Sequence, residues 1–251
     1  MKTLDFNSKL AIAKTHVSGD SFRPVLGAVL HDEDKLVSTD TCRMLILDAG
    51  IHAPAPIKLD PNDGKVFQGA PVYEKVRGWA LPDGDPNDGT WHKVIKGYTG
   101  GDGMYPQWRR VVPNLGTEIS LTVTVAELTR ALKEISPAAK ESANRCRLKF
   151  SAGIDAVIVL SARATVCDKK TPNDVKEWQL CAQLGGTVCG GMEIAFNYRY
   201  MLDVCKVAKL HGDTSINLRF IDNSRAFEVV PADWMDGEPA WKVILMPMAL
   251  D

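Results

Sequence analysis

Apolar and polar positions along the chain switch between two periods. In ISLTVTVAELTRALKEIS (119–136) an alternating stretch gives way to Leu128, Leu132 and Ile135 at i, i+4 and i+7, one face of a helix. The switch falls at Thr124, whose hydroxyl suits the N-cap. EIAFNYRYMLDVCK (193–206) repeats the pattern with Asn197 at the cap, and TLDFNSKLAIAK (3–14) repeats it with Asn7. A weaker copy, KVFQGAPVYEKVRGWAL (65–81), predicts a fourth helix with Pro71 in its first turn.

Period-two runs follow the helices. RCRLKF (145–150), DAVIVLSARAT (155–165) and EWQLCAQL (177–184) come after the third copy, and SINLRFID (215–222), RAFEVV (225–230) and WKVILMPM (241–248) after the last. Turn signals separate them at Pro172-Asn173-Asp174, Asp222-Asn223 and Asp236-Gly237. The second half thus reads β-α-β-β-β twice over. The first half opens alike, with strands in RPVLGAVLHDE (23–33) and KLVSTDTCRMLIL (35–47) and a turn at Asp32-Glu33-Asp34 between them. Its later part is looser, with two Pro-Asn-Asp turns (61–63, 86–88) and the glycine-rich GYTGGDGM (97–104). The expected fold class is α+β: two domains, 1–115 and 116–251, each an antiparallel sheet with two helices on one face.

Composition narrows the function. Thirty basic against thirty-one acidic residues exclude a generally cationic nucleic-acid binder, but not one basic face on an acidic body. No apolar run reaches the roughly 18 residues of a membrane span, and the first 17 residues lack a signal-peptide core, so a cytosolic protein is expected. The six cysteines (42, 146, 167, 181, 189, 205) form no CxxC and no zinc spacing, and are expected as buried free thiols. The five histidines (16, 31, 52, 92, 211) are scattered, and no Walker loop, GxGxxG, HExxH or GxSxG occurs. GGTVCGG (185–191) reads as hairpin turns, since it lacks the Lys-Ser/Thr of a phosphate loop. No enzyme chemistry, cofactor or metal is expected.

Three stretches carry a resemblance together. RPVLGAVL with LVSTDTCRMLI (23–30, 36–46) and YPQWRRVVP (105–113) resemble the middle domain of the bacterial DNA polymerase III β sliding clamp. That domain typically shows Leu-Asn-Gly, then Thr-Asp-Gly-His-Arg-Leu, and closes on Phe-Pro-Asp-Tyr-Arg-Arg-Val-Ile-Pro. FNYRYMLDVCK with VILMPMAL (196–206, 243–250) resembles the last domain, with its Asn-x-x-Tyr-Leu helix and terminal Met-Pro-Met strand. The three occur in family order and, with the repeat, cover nearly the whole chain.

The resemblance implies a DNA sliding clamp, a processivity factor that encircles duplex DNA without reading its sequence. Clamps are rings of about six such domains, so two domains per chain imply a homotrimer and a clamp loader to open it. In the family the Met-Pro-Met strand and the Thr-Asp-Gly-His-Arg segment line an apolar pocket for linear peptides of polymerases and repair proteins. The matching positions are Leu26, Thr39, Thr41, Arg43, Met44, Pro113, Ile244, Met246, Pro247 and Met248. Methionines re-pack around different guests, and an arginine can hold a carboxylate or carbonyl. Thr41 and Cys42 replace the family's Gly-His, and Ala249 replaces an arginine. The same resemblance turns the helices toward DNA phosphates, which makes Lys9, Lys14, Arg130, Lys133, Arg199, Lys206 and Lys209 the expected DNA-facing residues, with Lys75 and Arg77 on the weak helix. Two alternatives stay open: a clamp-like adaptor or decoy that binds such peptides without forming a ring, and an enzyme using Cys42 beside Arg43.

Overall fold

The computed structural model describes residues 4–59, 72–75, 92–96, 104–115, 119–152, 157–167, 175–234 and 237–250. The chain divides into two compact units, Thr3–Val111 and a second that spans Val112–Asp251.

In the first unit, helix α1 (Phe6–Ala13) starts where Asp5 accepts a hydrogen bond from the Ser8 amide at 2.7 Å. Hydrogen bonding from the Ser8 side chain, and then from this amide, holds the Asp5 carboxyl below the usual range. The cap is therefore Asp5 and not Asn7, which lies inside the helix, and Leu4–Asp5 is not a strand. The earlier start buries Phe6 with Leu10, Ile12 and Ala13. Pro24–Gly27 winds into a 3₁₀ turn, because proline suits a first turn and gives a strand no N–H. Strand β1 then runs over Val29–Thr39 and pairs antiparallel with β2 (Arg43–Leu59).

The hairpin corrects the sequence reading. Asp32-Glu33-Asp34 is not a turn: β1 passes through it with two register shifts, and Glu33 takes φ 55°. The turn falls instead at Asp40–Cys42, inside the stretch expected as one strand. Asp40 makes it, accepting from the amides of Cys42 and Arg43 at 3.1 and 3.0 Å. Within the stretch 65–81 expected as a helix, the described residues Val72–Lys75 form strand β3 instead, paired with β4 (His92–Lys96). Val72 and Tyr73 are strong strand formers, and pairing overrides a weak helical period. Lys75 is thus on a strand; Arg77, Pro71, both Pro-Asn-Asp turns and residues 97–103 lie outside the described residues.

In the second unit the order is β5 (Ile119–Thr124), α2 (Val125–Glu141), β6 (Arg145–Phe150), β7 (Ile158–Cys167), β8 (Val175–Leu184), β9 (Thr187–Cys189), β10 (Met192–Asn197), α3 (Tyr198–His211), β11 (Ser215–Phe220), β12 (Phe227–Pro231) and β13 (Trp241–Leu245). The β-α-β-β-β repeat is present twice. Its strands form two antiparallel ladders, β10-β6-β7-β8 and β13-β12-β11-β5-β9. The short β9, inside the glycine-rich stretch expected only as turns, pairs with β5. Gly186 permits this close passage, since a Cβ there would collide with the Thr122 carbonyl oxygen.

Both expected caps in this half form. Thr124 accepts from the Glu127 amide at 3.2 Å and donates to its carboxylate at 3.0 Å, and Asn197 accepts from the Arg199 amide at 3.0 Å. α2 continues past Ser136 through an exposed Pro137 to Glu141. Leu128, Leu132 and Ile135 are buried on one face, and α3 buries Met201, Val204, Cys205 and Ala208 against the same core. Truncating such a leucine typically costs about 2–5 kcal/mol. Phe150, Phe220 and Phe227 stack through the centre at 5.6 and 5.0 Å.

Candidate functional site

The terminal strand ends where its burial pattern breaks. Val243, Ile244 and Leu245 are buried, then Met246 turns out to solvent at 46% exposure. Pro247 cannot donate to a ladder, so regular pairing stops. It resumes for one residue: Met248 donates its N–H to the Ala195 carbonyl at 2.7 Å, a single bridge to β10. Two arginines of β6 hold the chain beyond it, Arg145 donating to the Ala249 carbonyl at 3.4 Å and Arg147 to that of Leu250 at 3.2 Å.

Pro247, Met248, Ala249 and Leu250 form one wall of a surface groove of about 300 Å³, and Asn223 and Ser224 form the other. Asp222 shapes that second wall by accepting from the Ser224 amide and hydroxyl and from the Arg225 amide, each at 2.8 Å. These bonds hold its carboxyl below the usual range. Asn223, Ser224 and Leu250 are groove residues that the sequence reading misses; the Asp222-Asn223 turn signal places the first two in a loop but not beside residue 248.

In the first unit the matched residues sit on and around the β1–β2 turn. Thr39 donates its hydroxyl to the Arg43 carbonyl at 2.7 Å and accepts from the Thr41 amide at 3.1 Å. Thr41 has φ 79°, the left-handed region in which the family's glycine is at ease. Arg43, expected to hold a ligand carboxylate or carbonyl, is engaged otherwise. Its Nε donates to Asp40 at 2.9 Å and its Nη2 to the Thr15 carbonyl at 2.8 Å, with the side chain 9% exposed. Its charge is thus taken up within the unit. Leu26, Met44 and Ile244 are buried, so they support the fold at these places and offer no surface, while Pro113 is half-buried.

The expected DNA-facing residues divide. Lys14, Arg130, Lys133, Arg199, Lys206 and Lys209 are exposed, and Lys9 is half-buried with its ammonium drawn over Gly50. Arg130 pairs with Glu134 at 2.8 Å and Lys206 with Asp203 at 2.7 Å. On α2 the exposed Lys133 and Lys140 lie beside Glu134 and Glu141. The helix faces therefore carry a diluted positive charge, worth little in specific pairing because it is solvated.

Among the described residues no group of three His, Cys, Asp or Glu could hold a metal ion, and no helix is long and apolar enough to cross a membrane. The thiols differ from expectation. Cys146 and Cys205 are buried, and burial pushes their pKa values up, that of Cys205 to about 11, but Cys42, Cys181 and Cys189 are exposed. The guanidinium of Arg43, next to Cys42 in sequence, donates to Asp40 and to the Thr15 carbonyl.

A doubled β-α-β-β-β unit of antiparallel strands and paired helices, with a terminal Met-Pro-Met edge beside a groove, is the domain type of the DNA clamps. Residues 109–248, more than half the chain, match the family model for the DNA polymerase III beta subunit, C-terminal domain. The chain belongs to the bacterial DNA polymerase III β sliding-clamp family, whose members are non-enzymatic processivity factors.

Solved structures agree in fold. The β subunit of Thermotoga maritima superposes with a TM-score of 0.67 at 17% identity, covering 99% of this chain and 65% of that one. The β chain of Streptococcus pneumoniae gives 0.69 at 18% identity, covering 98% and 64%. A sliding clamp of Pseudomonas aeruginosa, bound to griselimycin, gives 0.65 at 18%, covering 99% and 67%. The chain thus spans less than two-thirds of the length of the first two. No curated protein matches it in sequence.

Proposed function

We propose that the protein is a DNA sliding clamp: it encircles duplex DNA as a homotrimer and tethers a replicative polymerase and repair proteins by their linear peptides. The two units correspond on this reading to the middle and last domains of the family. The observation that carries the peptide role is Met246, which turns outward at the end of a buried strand just before the 300 Å³ groove walled by Pro247 and Met248. Flexible thioethers beside a short apolar wall suit aliphatic anchors of an extended peptide. In the first unit Thr39 and Thr41 belong to a turn that serves the same class of guest, and Arg43 contributes by fixing that turn.

Retention on DNA then comes from enclosure, with only weak phosphate contacts from Lys14, Lys133, Arg199 and Lys209, and from Arg130 and Lys206 after their pairs loosen. Dissociation constants of roughly 10⁻⁴ to 10⁻⁶ M for such contacts are enough. Ring closure draws support from β8, which is paired on one side only among the described residues and offers its other edge to a second copy. A loader ATPase opens the ring, and the protein works in the cytoplasm at the nucleoid.

The test is calorimetric titration with a peptide from the C-terminal tail of the host's replicative polymerase. Binding lost on Met246→Ala with Met248→Ala, and an oligomer left intact, is the expected result; unchanged affinity refutes the groove. A second reading, a decoy that captures such peptides without a ring, gains from the acid-paired Arg130 and Lys206. Light scattering separates the two, since a trimer of 27.5 kDa chains weighs about 82 kDa and a decoy stays at one chain's mass.

A further inference from the structure

The outward face of the β10-β6-β7-β8 ladder carries a charge cluster that neither helix faces nor terminal groove account for. Alternation puts Cys146, Leu148 and Phe150 of β6 into the core and leaves Arg145, Arg147 and Lys149 on the other side. Same-side residues on a strand repeat every ~6.7 Å. On β7, Ser161 pairs with Arg147, and Arg163 and Thr165 follow on the same side. On β8, Gln179 pairs with Arg163.

Two grooves run over this face. The smaller, about 60 Å³, is lined by Ser142, Arg145, Arg147, Arg163 and Thr165 among others. The larger, about 240 Å³, is lined by Arg147, Lys149, Ser161, Arg163, Gln179 and Glu193 among others. Arg147 and Arg163 line both, so the two form one continuous track.

Arg145, Arg147, Lys149 and Arg163 cluster there, the first two also held by the Ala249 and Leu250 carbonyls. Glu193 lies 3.7 Å from Arg147 and 3.9 Å from Lys149, too far for hydrogen bonds, and Glu177 stands opposite Thr165 at the rim. Arg163 is exposed and has no ion-pair partner among the described residues. Four cations grouped on one face of a chain of net charge −1 are a local concentration, not a reflection of overall composition.

We propose that this track binds the sugar-phosphate backbone of a single nucleic-acid strand. Guanidinium, ammonium, hydroxyl and amide donors are the groups that take phosphate and sugar oxygens. The cations follow β6 in a row, which suits one extended chain. No aromatic side chain lines either groove among the described residues, so bases are neither stacked nor read, and binding is independent of sequence.

The experiment is fluorescence anisotropy of the full-length protein with a labelled thirty-mer of thymidylate over a series of salt concentrations. Lys149→Glu with Arg163→Glu is the test variant, because both side chains are exposed and neither touches the terminal segment. Its affinity falls at least tenfold, and the slope of log K against log salt flattens by about 1.4, since two phosphate neutralisations at ~0.7 each are removed. Lys149→Arg with Arg163→Lys keeps both. Equal affinity and slope for the face variant overturn the proposal. So does tighter binding of a polyglutamate peptide of the same charge, which would assign the track to acidic protein segments. Peptide capture at Met246 and Met248 is a separate readout and stays intact in either case.

Discussion

Trp108 donates its indole N–H to Asp32 at 2.8 Å, and this bond docks the segment before Val111 onto the irregular part of β1. Arg109 adds a second bond to the same carboxylate oxygen at 2.5 Å and one to Glu33 at 2.8 Å, while its guanidinium lies 4.4 Å from the Trp108 ring centre. Tyr105 completes the dock by donating to the Val37 carbonyl at 3.2 Å. The two register shifts in β1 aim Asp32 and Glu33 at this segment; an unbroken ladder would send them to opposite faces.

Asp32→Ala leaves the buried indole N–H of Trp108 without its acceptor. The first unit loses about 1–3 kcal/mol. Urea unfolding followed by tryptophan fluorescence reads this as a lower midpoint. Asp32→Asn, which keeps an acceptor, loses less.

Thr41→Gly goes the other way. A β-branched residue at φ 79° bears a backbone cost of about 1–2 kcal/mol that glycine does not. The substitution raises stability by about 1 kcal/mol after the extra freedom of glycine in the unfolded chain is deducted. Thermal unfolding checks it, with a lower Tm as the opposing outcome.

His31 makes the first unit sensitive to acid. It is fully buried, beside Phe6 at 5.5 Å and 3.2 Å from the Ile51 carbonyl oxygen. Burial is the main force pushing its pKa below the ordinary 6.5, with His52 adding to it and the Ile51 carbonyl, Asp32 and Asp34 opposing. The unfolded chain therefore binds the proton more readily. Stability is complete above about pH 6.5, falls as pH drops below it, and levels off beneath the folded-state value. Unfolding midpoints from pH 8 to pH 5 decline less for His31→Gln than for the parent chain.

Glu228, 2% exposed, receives Arg219 at 2.7 Å and Lys242 at 3.5 Å across three neighbouring strands. Glu228→Ala leaves two cations facing each other without a carboxylate. Both still reach water, so the loss is about 2 kcal/mol, below that of a fully buried pair. Glu228→Gln retains an acceptor for Arg219 and costs less. Chemical denaturation of the three proteins gives the order.

Local chemistry decides how much of this is legible in the sequence. Thr124 and Asn197 announce their helices because a cap is a contact within three residues. Asn7 misleads because Asp5, two residues earlier, is an equally good cap, and only the burial of Phe6 selects it. Val72–Lys75 misleads because helical spacing over so few apolar residues does not outweigh the strand propensity of valine and tyrosine once the backbone pairs with His92–Lys96. The Met-Pro-Met motif is visible, yet its groove partners Asn223 and Ser224 are not, since they stand some two dozen residues upstream and meet it only through the fold.

By itself the sequence determined the repeated β-α-β-β-β unit, the apolar faces of α2 and α3 and the family, because periodicity, capping and motif order are properties of neighbouring residues. Tertiary structure alone decided which groups take up the charge of Arg43, that Met246 faces out while Met44 and Ile244 face in, and that Arg147 and Arg163 share a track. Those outcomes depend on strand register and on which distant groups arrive at the same place, and a shift of one residue in register would have turned each side chain to the opposite face.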